Sequence, residues 1–360
     1  MVKKKYWLTI ATSLAVVVAM GQGATAQDGS VINGVAQMNA WQALALGAVQ
    51  GLTEFLPISS TAHLKVVPVA LGWGDPGVAF TAVIQLGSIA AVLWYFWTDI
   101  RDITLGAIEA LQKSYLGKTS PPKVNSQDSN PENDLTPSST PDLTPDSTPN
   151  LAPDLPNSFI AKWQQAFGES QELRLATGIA LGTIPIVFFG LLIKALIPDF
   201  DNSPLRSLQA IALASIVMSL LLGLAEKLGK RVISYEKLGT KEGIFMGLAQ
   251  ALALLPGVSR SGSTLTAGLF LGIERAAAAR FSFLLGIPAI TLAGLVELRG
   301  VLSETVPQEQ ILSLVVGTIS SAIFSYGAIA WLLDYLKKQS TWIFIWYRLG
   351  FGVLILLFMK

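Results

Sequence analysis

Apolar runs separated by polar turns set the plan of the chain. Runs at 78–97, 173–197, 205–225, 278–298, 311–333 and 342–359 are each close to the roughly 20 residues a helix needs to cross a bilayer. Two other apolar stretches, 38–71 and 243–272, break in the middle, the first at Pro57 and the second at Pro256. Each limb is short for a full crossing. Non-helical backbone is tolerated at membrane depth only where it lines a protein cavity, so both stretches predict re-entrant helix hairpins. The expected fold class is an all-α polytopic membrane protein with two re-entrant helix hairpins and about six full transmembrane helices.

The two hairpins also resemble each other. Gly47, Gln50, Leu52 and Ser59 recur 200 positions on as Gly247, Gln250, Leu252 and Ser259, and Pro57 recurs 199 positions on as Pro256. Leu86-Gly87 returns as Leu285-Gly286. Lys227, Lys230, Arg231, Lys237 and Lys241 form the densest basic loop, which the positive-inside rule assigns to the cytoplasm. Counting from that loop puts Lys337-Lys338 inside and Asp75, Asp199 and the C-terminus outside. The hairpins then enter from opposite faces, which makes the repeat inverted and brings their tips together near the midplane.

Composition narrows the classes further. With 51% hydrophobic and 14% charged residues among 360, and a mean hydropathy of +0.53, an ordinary soluble domain is excluded. A net charge of +1 and the lack of any basic stripe give no surface for nucleic acid. Zero Cys rules out disulfides and thiolate chemistry, and a single His rules out phosphatases that need two, such as the type-2 phosphatidic acid phosphatases.

The domain plan follows. Lys3 to Lys5, the apolar run 6–20 and Ala24-Thr25-Ala26 predict a signal peptide or an N-terminal anchor over 1–26. A first membrane repeat covers 38–118. The Pro/Ser/Thr/Asp-rich stretch 119–157 cannot build a packed core and is expected to be a disordered cytoplasmic insert. Residues 158–360 hold the remaining membrane helices, including the second hairpin at 243–272.

Chemistry concentrates in the hairpins. Residues 50–64 read QGLTEFLPISSTAHL and residues 250–264 read QALALLPGVSRSGST. An ionised side chain at the centre of a membrane helix costs roughly 2.5–3.5 kcal/mol on insertion scales, so Glu54 and Arg260 are expected to face a cavity or each other rather than lipid. The competing reading is that both snorkel from helix ends. Arg260 offers a planar, permanently charged donor for phosphate oxygens, with Ser259, Ser261 and the amides around Gly257 and Gly262 as neutral donors. Glu54 would hold a divalent metal or act as acid/base, and Gln50, four residues earlier on the same face, would assist at the metal. If the chain after Pro57 is helical, Ser60 lies three residues from His63, a spacing that suits a nucleophile and its base. Direct attack by His63, or a His63-activated water with the serines only binding, stays open, as does simple helix capping by the serines.

These two segments closely resemble the undecaprenyl-diphosphatase family, also called the bacitracin-resistance proteins, known for (E/Q)GLTEFLP-x-SST-x-H and PG-x-SRSG segments. The resemblance runs from about residue 38 to the C-terminus, apart from the insert. It implies a membrane hydrolase that converts undecaprenyl diphosphate to undecaprenyl phosphate, recycling the carrier lipid of peptidoglycan and cell-wall synthesis and conferring bacitracin resistance. It further implies a divalent cation (Mg²⁺ or Ca²⁺), a multi-pass protein of the plasma (inner) membrane, and a site opening to the periplasmic side. The family's functional positions fall here on Glu54, His63, the hydroxyl trio Ser59, Ser60 and Thr61, and Arg260 between Ser259 and Ser261. The prenyl diphosphate lipid and the membrane are the expected partners, and a homodimer is admissible. The first acidic position of some members is Gln50 here, which leaves Glu54 as the lone motif carboxylate. A transporter or flippase of phosphorylated isoprenoid lipid is the alternative, because opposed midplane hairpins are also transporter architecture.

Overall fold

The structure is a computed structural model and describes residues 38–116, 164–197, 200, 203–302 and 308–358. The expected signal or anchor segment 1–26 and the insert 119–157 lie outside the described residues. The described residues are helical, with one isolated bridge between Ile233 and Ile273. In chain order the long helices are α1 (Ala40–Glu54), α2 (Ser60–Ala70), α3 (Val78–Tyr95), α4 (Trp97–Leu116), α5 (Gln171–Leu196), α6 (Leu208–Leu228), α7 (Thr240–Ala251), α8 (Arg260–Phe270), α9 (Arg275–Leu302), α10 (Gln308–Lys338) and α11 (Trp342–Phe358), with a short helical segment at 164–169 and three 3-10 turns between them.

All six expected spans are helices. Four, α5, α6, α9 and α10, are long and apolar enough to cross a membrane. α3 joins α4 through a 62° bend, and the two count together as a fifth candidate; α11 is a shorter apolar helix of 17 residues. The expected span 78–97 matches α3 to within its C-cap at Phe96; what the apolar pattern does not predict is the second helix that starts at Trp97 beyond the bend. Local chemistry explains several starts. Asn39 and Gln42 form a reciprocal capping box at α1, and Ser170 and Ser207 cap α5 and α6 by accepting the amides of Leu173 and Ala210. Pro185 sits inside α5 without ending it.

The molecule is apolar outside and locally polar inside, as a lipid solvent demands. On α5, Ile184, Phe188, Leu191 and Leu196 are exposed, while Ser88, Ser215, Ser219, Ser321 and Ser325 are fully buried between helices. Small residues let the helix backbones approach closely. α1 packs most extensively on α10, and α7 on α5. A Cβ on Gly47 would collide with the carbonyl of Gly317, and one on Gly247 with the carbonyl of Gly182. The two broken helix pairs, α1–α2 and α7–α8, are thus each held against a long helix by a glycine crossing. Between them lies the main apolar core, with Phe55, Phe281, Phe283, Leu285, Met246 and Leu269 at its centre.

Candidate active site

Both breaks end in the same local structure. Ser59 and Ser259 adopt φ of 74° and 70°, a region strained for a residue with a Cβ. Each then caps the following helix: Ser59 Oγ accepts the amide of Ala62, and Ser259 Oγ that of Gly262. Capping is therefore a role both serines fulfil. The left-handed turn reverses the chain sharply, so that the first residue of α2 looks back at the last residue of α1.

That reversal sets the central contacts. Ser60 Oγ donates to Glu54 Oε2 at 2.7 Å, and Gln50 Nε2 donates to the same oxygen at 3.2 Å. The other carboxylate oxygen, Glu54 Oε1, receives Arg260 Nη2 at 3.2 Å from the second broken helix pair. Both charged side chains are about nine-tenths buried. The guanidinium also lies over the Phe55 ring, 5.8 Å from its centroid. Its Nε and Nη1 are buried and have no hydrogen-bond partner among the described residues. Gly286 of α9 makes room for it, since a Cβ there would occupy the position of Arg260 Nη1. Behind Gln50, a cluster of Ser88, Ser321 and Ser325 hydroxyls ties α3 to α10.

The remaining predicted residues fall in distinct places. Ser261 Oγ crosses between the two broken helix pairs to donate to the Leu56 carbonyl at 2.8 Å and sits 3.3 Å from Ser259 Oγ. Gly257, at φ 90°, leaves no room for a side chain beside the Ile211 backbone. Gly262 sits in the first turn of α8, and a Cβ there would meet a guanidinium nitrogen of Arg348. Thr61 is exposed and stands outside this network.

His63 is 3% exposed and is held on every side. Its Nδ1 lies 2.7 Å from the Ser59 carbonyl and its Nε2 2.8 Å from the Tyr347 hydroxyl. Phe351 stacks on the ring at 4.2 Å between centroids. The spacing of Ser60 and His63 thus does not produce a hydrogen bond between them here; the acceptor for Ser60 is Glu54.

Tyr347 and Arg348 on α11 were not singled out from the sequence. Arg348 is 1% exposed and donates to the carbonyls of Gly257, Val258 and, at 3.5 Å, Pro57, so one guanidinium reaches both breaks. Those carbonyls have lost their helical partners, which is why a permanently charged donor settles there. The signal was present: Arg348 is the one charged residue in an apolar run of membrane length, the same sign that marked Glu54 and Arg260.

Long apolar helices enclosing a buried carboxylate, a serine bonded to it and a guanidinium with free donors define an integral membrane protein with a polar site buried among its helices. A family model described as "Bacitracin resistance protein BacA" matches residues 43–127 and 153–354. The chain is 57% identical to a protein of Trichormus variabilis named undecaprenyl-diphosphatase, over 98% of this chain and 95% of that one. It is 56% identical to proteins of the same name from Nostoc sp., over 98% and 95% of the two chains, and from Synechocystis sp., over 92% and 85%. The chain belongs to the bacitracin resistance protein BacA family.

Proposed function

We propose that the protein is an undecaprenyl-diphosphate phosphatase, an integral membrane hydrolase that releases inorganic phosphate and returns the monophosphate carrier lipid to cell-wall synthesis. The relatives' shared name supports it. The observation that carries the reading at the level of chemistry is Arg260: a buried guanidinium with one nitrogen on Glu54 and two left unpaired is poised for phosphate oxygens.

In this reading Arg260 binds the terminal phosphate, and Ser261, through its own link to Leu56, keeps the two breaks in register. Ser259 and the Gly257 amide border the headgroup, with the Gly262 amide held on the Ser259 cap and Thr61 reaching it only from the exposed start of α2. Ser60 attacks the terminal phosphorus while its proton passes to Glu54 Oε2, the anhydride P–O bond breaks, and undecaprenyl phosphate leaves. Water then hydrolyses the serine phosphate. The 2.7 Å Ser60–Glu54 hydrogen bond favours Glu54 over His63 as the group that takes this proton.

A divalent cation fits this donor set only in company with substrate. Among the described residues there is no cluster of three His, Asp or Glu side chains, so Glu54, helped by the Gln50 amide, would share the ion with diphosphate oxygens. Such an ion supplies neutralisation of charge on the phosphate oxygens.

We also read α1–α2 and α7–α8 as re-entrant hairpins of one inverted repeat, inserted from opposite faces of the plasma membrane. Their matched left-handed serine caps and matched glycine crossings support it. A homodimer belongs to the same proposal and is tested by the mass of the detergent-solubilised protein.

The decisive experiment measures phosphate release from undecaprenyl diphosphate in detergent by wild type and by Glu54→Gln, Ser60→Ala, His63→Ala and Arg260→Ala. A carrier would release none. A phosphorylated serine trapped at Ser60 supports the covalent route, and a full-rate Ser60→Ala variant rules it out.

A further inference from the structure

We infer that Tyr347 is a functional residue of the site, the group through which His63 exchanges its proton with the cavity. This rests on the phosphatase reading above. A backbone carbonyl can only accept, so the 2.7 Å contact from Nδ1 to Ser59 O requires a proton on Nδ1. In the neutral ring Nε2 is then bare, and the 2.8 Å contact to Tyr347 is an O–H···N bond donated by the phenol. The ring face is covered by Phe351 at 4.2 Å, with the two planes 1° apart. His63 itself is buried, whereas Tyr347 keeps a minor part of its surface exposed. Both nitrogens of the imidazole are occupied, and the only one able to take a proton is reached through the phenol.

The phenol oxygen keeps lone pairs for a second hydrogen bond. When the water that hydrolyses the serine phosphate bonds to Tyr347 Oη, its proton moves to Oη as the phenolic proton moves to Nε2. Tyr347 ends neutral, His63 ends as imidazolium, and one proton has left the reacting oxygen. The reverse transfer resets the pair. Tyr347 and Phe351 are one helical turn apart on α11, so a single helix supplies both the relay and the stack that holds the ring parallel to it.

The test uses the full-length protein and its single histidine, which makes ¹⁵N-histidine labelling report one ring only. Wild type should show a protonated Nδ1 and a hydrogen-bonded, unprotonated Nε2. Tyr347→Phe keeps the aromatic stack and removes only the hydroxyl. It should move the Nε2 resonance to that of a free acceptor, leave Nδ1 protonated, and lower kcat of phosphate release by roughly 10- to 100-fold with KM within about twofold. The double variant His63→Ala/Tyr347→Phe should lose no more than His63→Ala alone, as expected for two residues acting as a unit. Full kcat in Tyr347→Phe, an unmoved Nε2 resonance, or additive losses in the double variant would each overturn the relay. If His63→Ala itself keeps full kcat while the Nε2 shift responds as expected, the hydrogen bond is real but the histidine's place in the reaction is wrong, which sinks the relay on separate grounds.

Discussion

Arg260 Nη2 sits 3.2 Å from Glu54 Oε1 although 206 residues separate the two. The pair closes the space between the two broken helix pairs and is buried on both sides. Removing one member leaves the other as an uncompensated buried charge, a change that costs about 3–5 kcal/mol in protein interiors. Glu54→Gln should therefore lower both the melting temperature and phosphate release, the latter by at least about 100-fold if the carboxylate is also the proton acceptor. Arg260→Lys keeps the charge but loses the fork. It should fold nearly as well as wild type while phosphate release falls, because an ammonium cannot hold Glu54 and phosphate in the same planar geometry. Thermal melts run beside phosphate release separate the two effects.

Gly286 gives a cleaner handle on Arg260. A methyl group there would displace Nη1 of a side chain whose other end is pinned to Glu54. Gly286→Ala should accordingly cut phosphate release about tenfold or more, with a loss of stability of about 1–3 kcal/mol, the usual cost of adding a methyl to a packed core. Wild-type activity in this variant would show that the guanidinium is not held where the catalytic reading needs it.

Much of this arrangement is legible in the sequence, for identifiable reasons. Glu54 and Arg260 announce themselves because a charge in an apolar run is costly, and they do meet. The breaks at Pro57 and Pro256 are visible because both limbs are short. Ser60 misleads: helical spacing aligns it with His63, yet as the first residue of α2 it turns back to Glu54 through the left-handed Ser59. No local pattern couples residue 63 to residue 347 or residue 348 to residue 257, so the lone charge of Arg348 can mark α11 without saying what it meets. The 62° bend at Phe96 is hidden for a related reason: the expected span stops at Trp97, and the more polar stretch that continues as α4 has no apolar run to announce a helix.

The metal is open to a direct check. With Glu54 as the one carboxylate and substrate oxygens completing the ion's shell, binding in the absence of lipid should be weak. Chelation is expected to abolish phosphate release and added Mg²⁺ or Ca²⁺ to restore it, while the melting temperature of lipid-free protein changes little on either addition. A large thermal stabilisation by the ion alone would point instead to a protein-only site.

Glu226 anchors the opposite kind of charge cluster, remote from the reaction. It is 2% exposed at the end of α6 and accepts Arg275 Nε at 3.0 Å, Arg231 Nη2 at 2.9 Å and Thr341 Oγ1 at 2.8 Å. One carboxylate thus joins the starts of α9 and α11 to the end of α6. Glu226→Gln should lower stability by about 3–5 kcal/mol by leaving two guanidinium groups short of their partner. At temperatures where the variant stays folded, its KM should match wild type, because none of these groups reaches Glu54 or Arg260 in the described contacts.

Arg348 combines the structural and the catalytic consequences in one residue. Its donors hold Pro57 O on the first break and Gly257 O and Val258 O on the second, so it fixes the distance across which Glu54 and Arg260 meet. Arg348→Met preserves much of the side-chain volume but strands the buried Pro57 and Val258 carbonyls, each at a cost of about 1–3 kcal/mol, while Gly257 O keeps the Ser215 hydroxyl. The variant should melt well below wild type and lose phosphate release even at low temperature, where it remains folded, since the two breaks are no longer tied together. Arg348→Lys should recover part of the stability through one retained charged donor, but little activity, because a single ammonium cannot span both breaks. Equal activity in Arg348→Met and wild type below the melting transition would mean that Ser261 and the Glu54–Arg260 pair hold the hairpins in register without it.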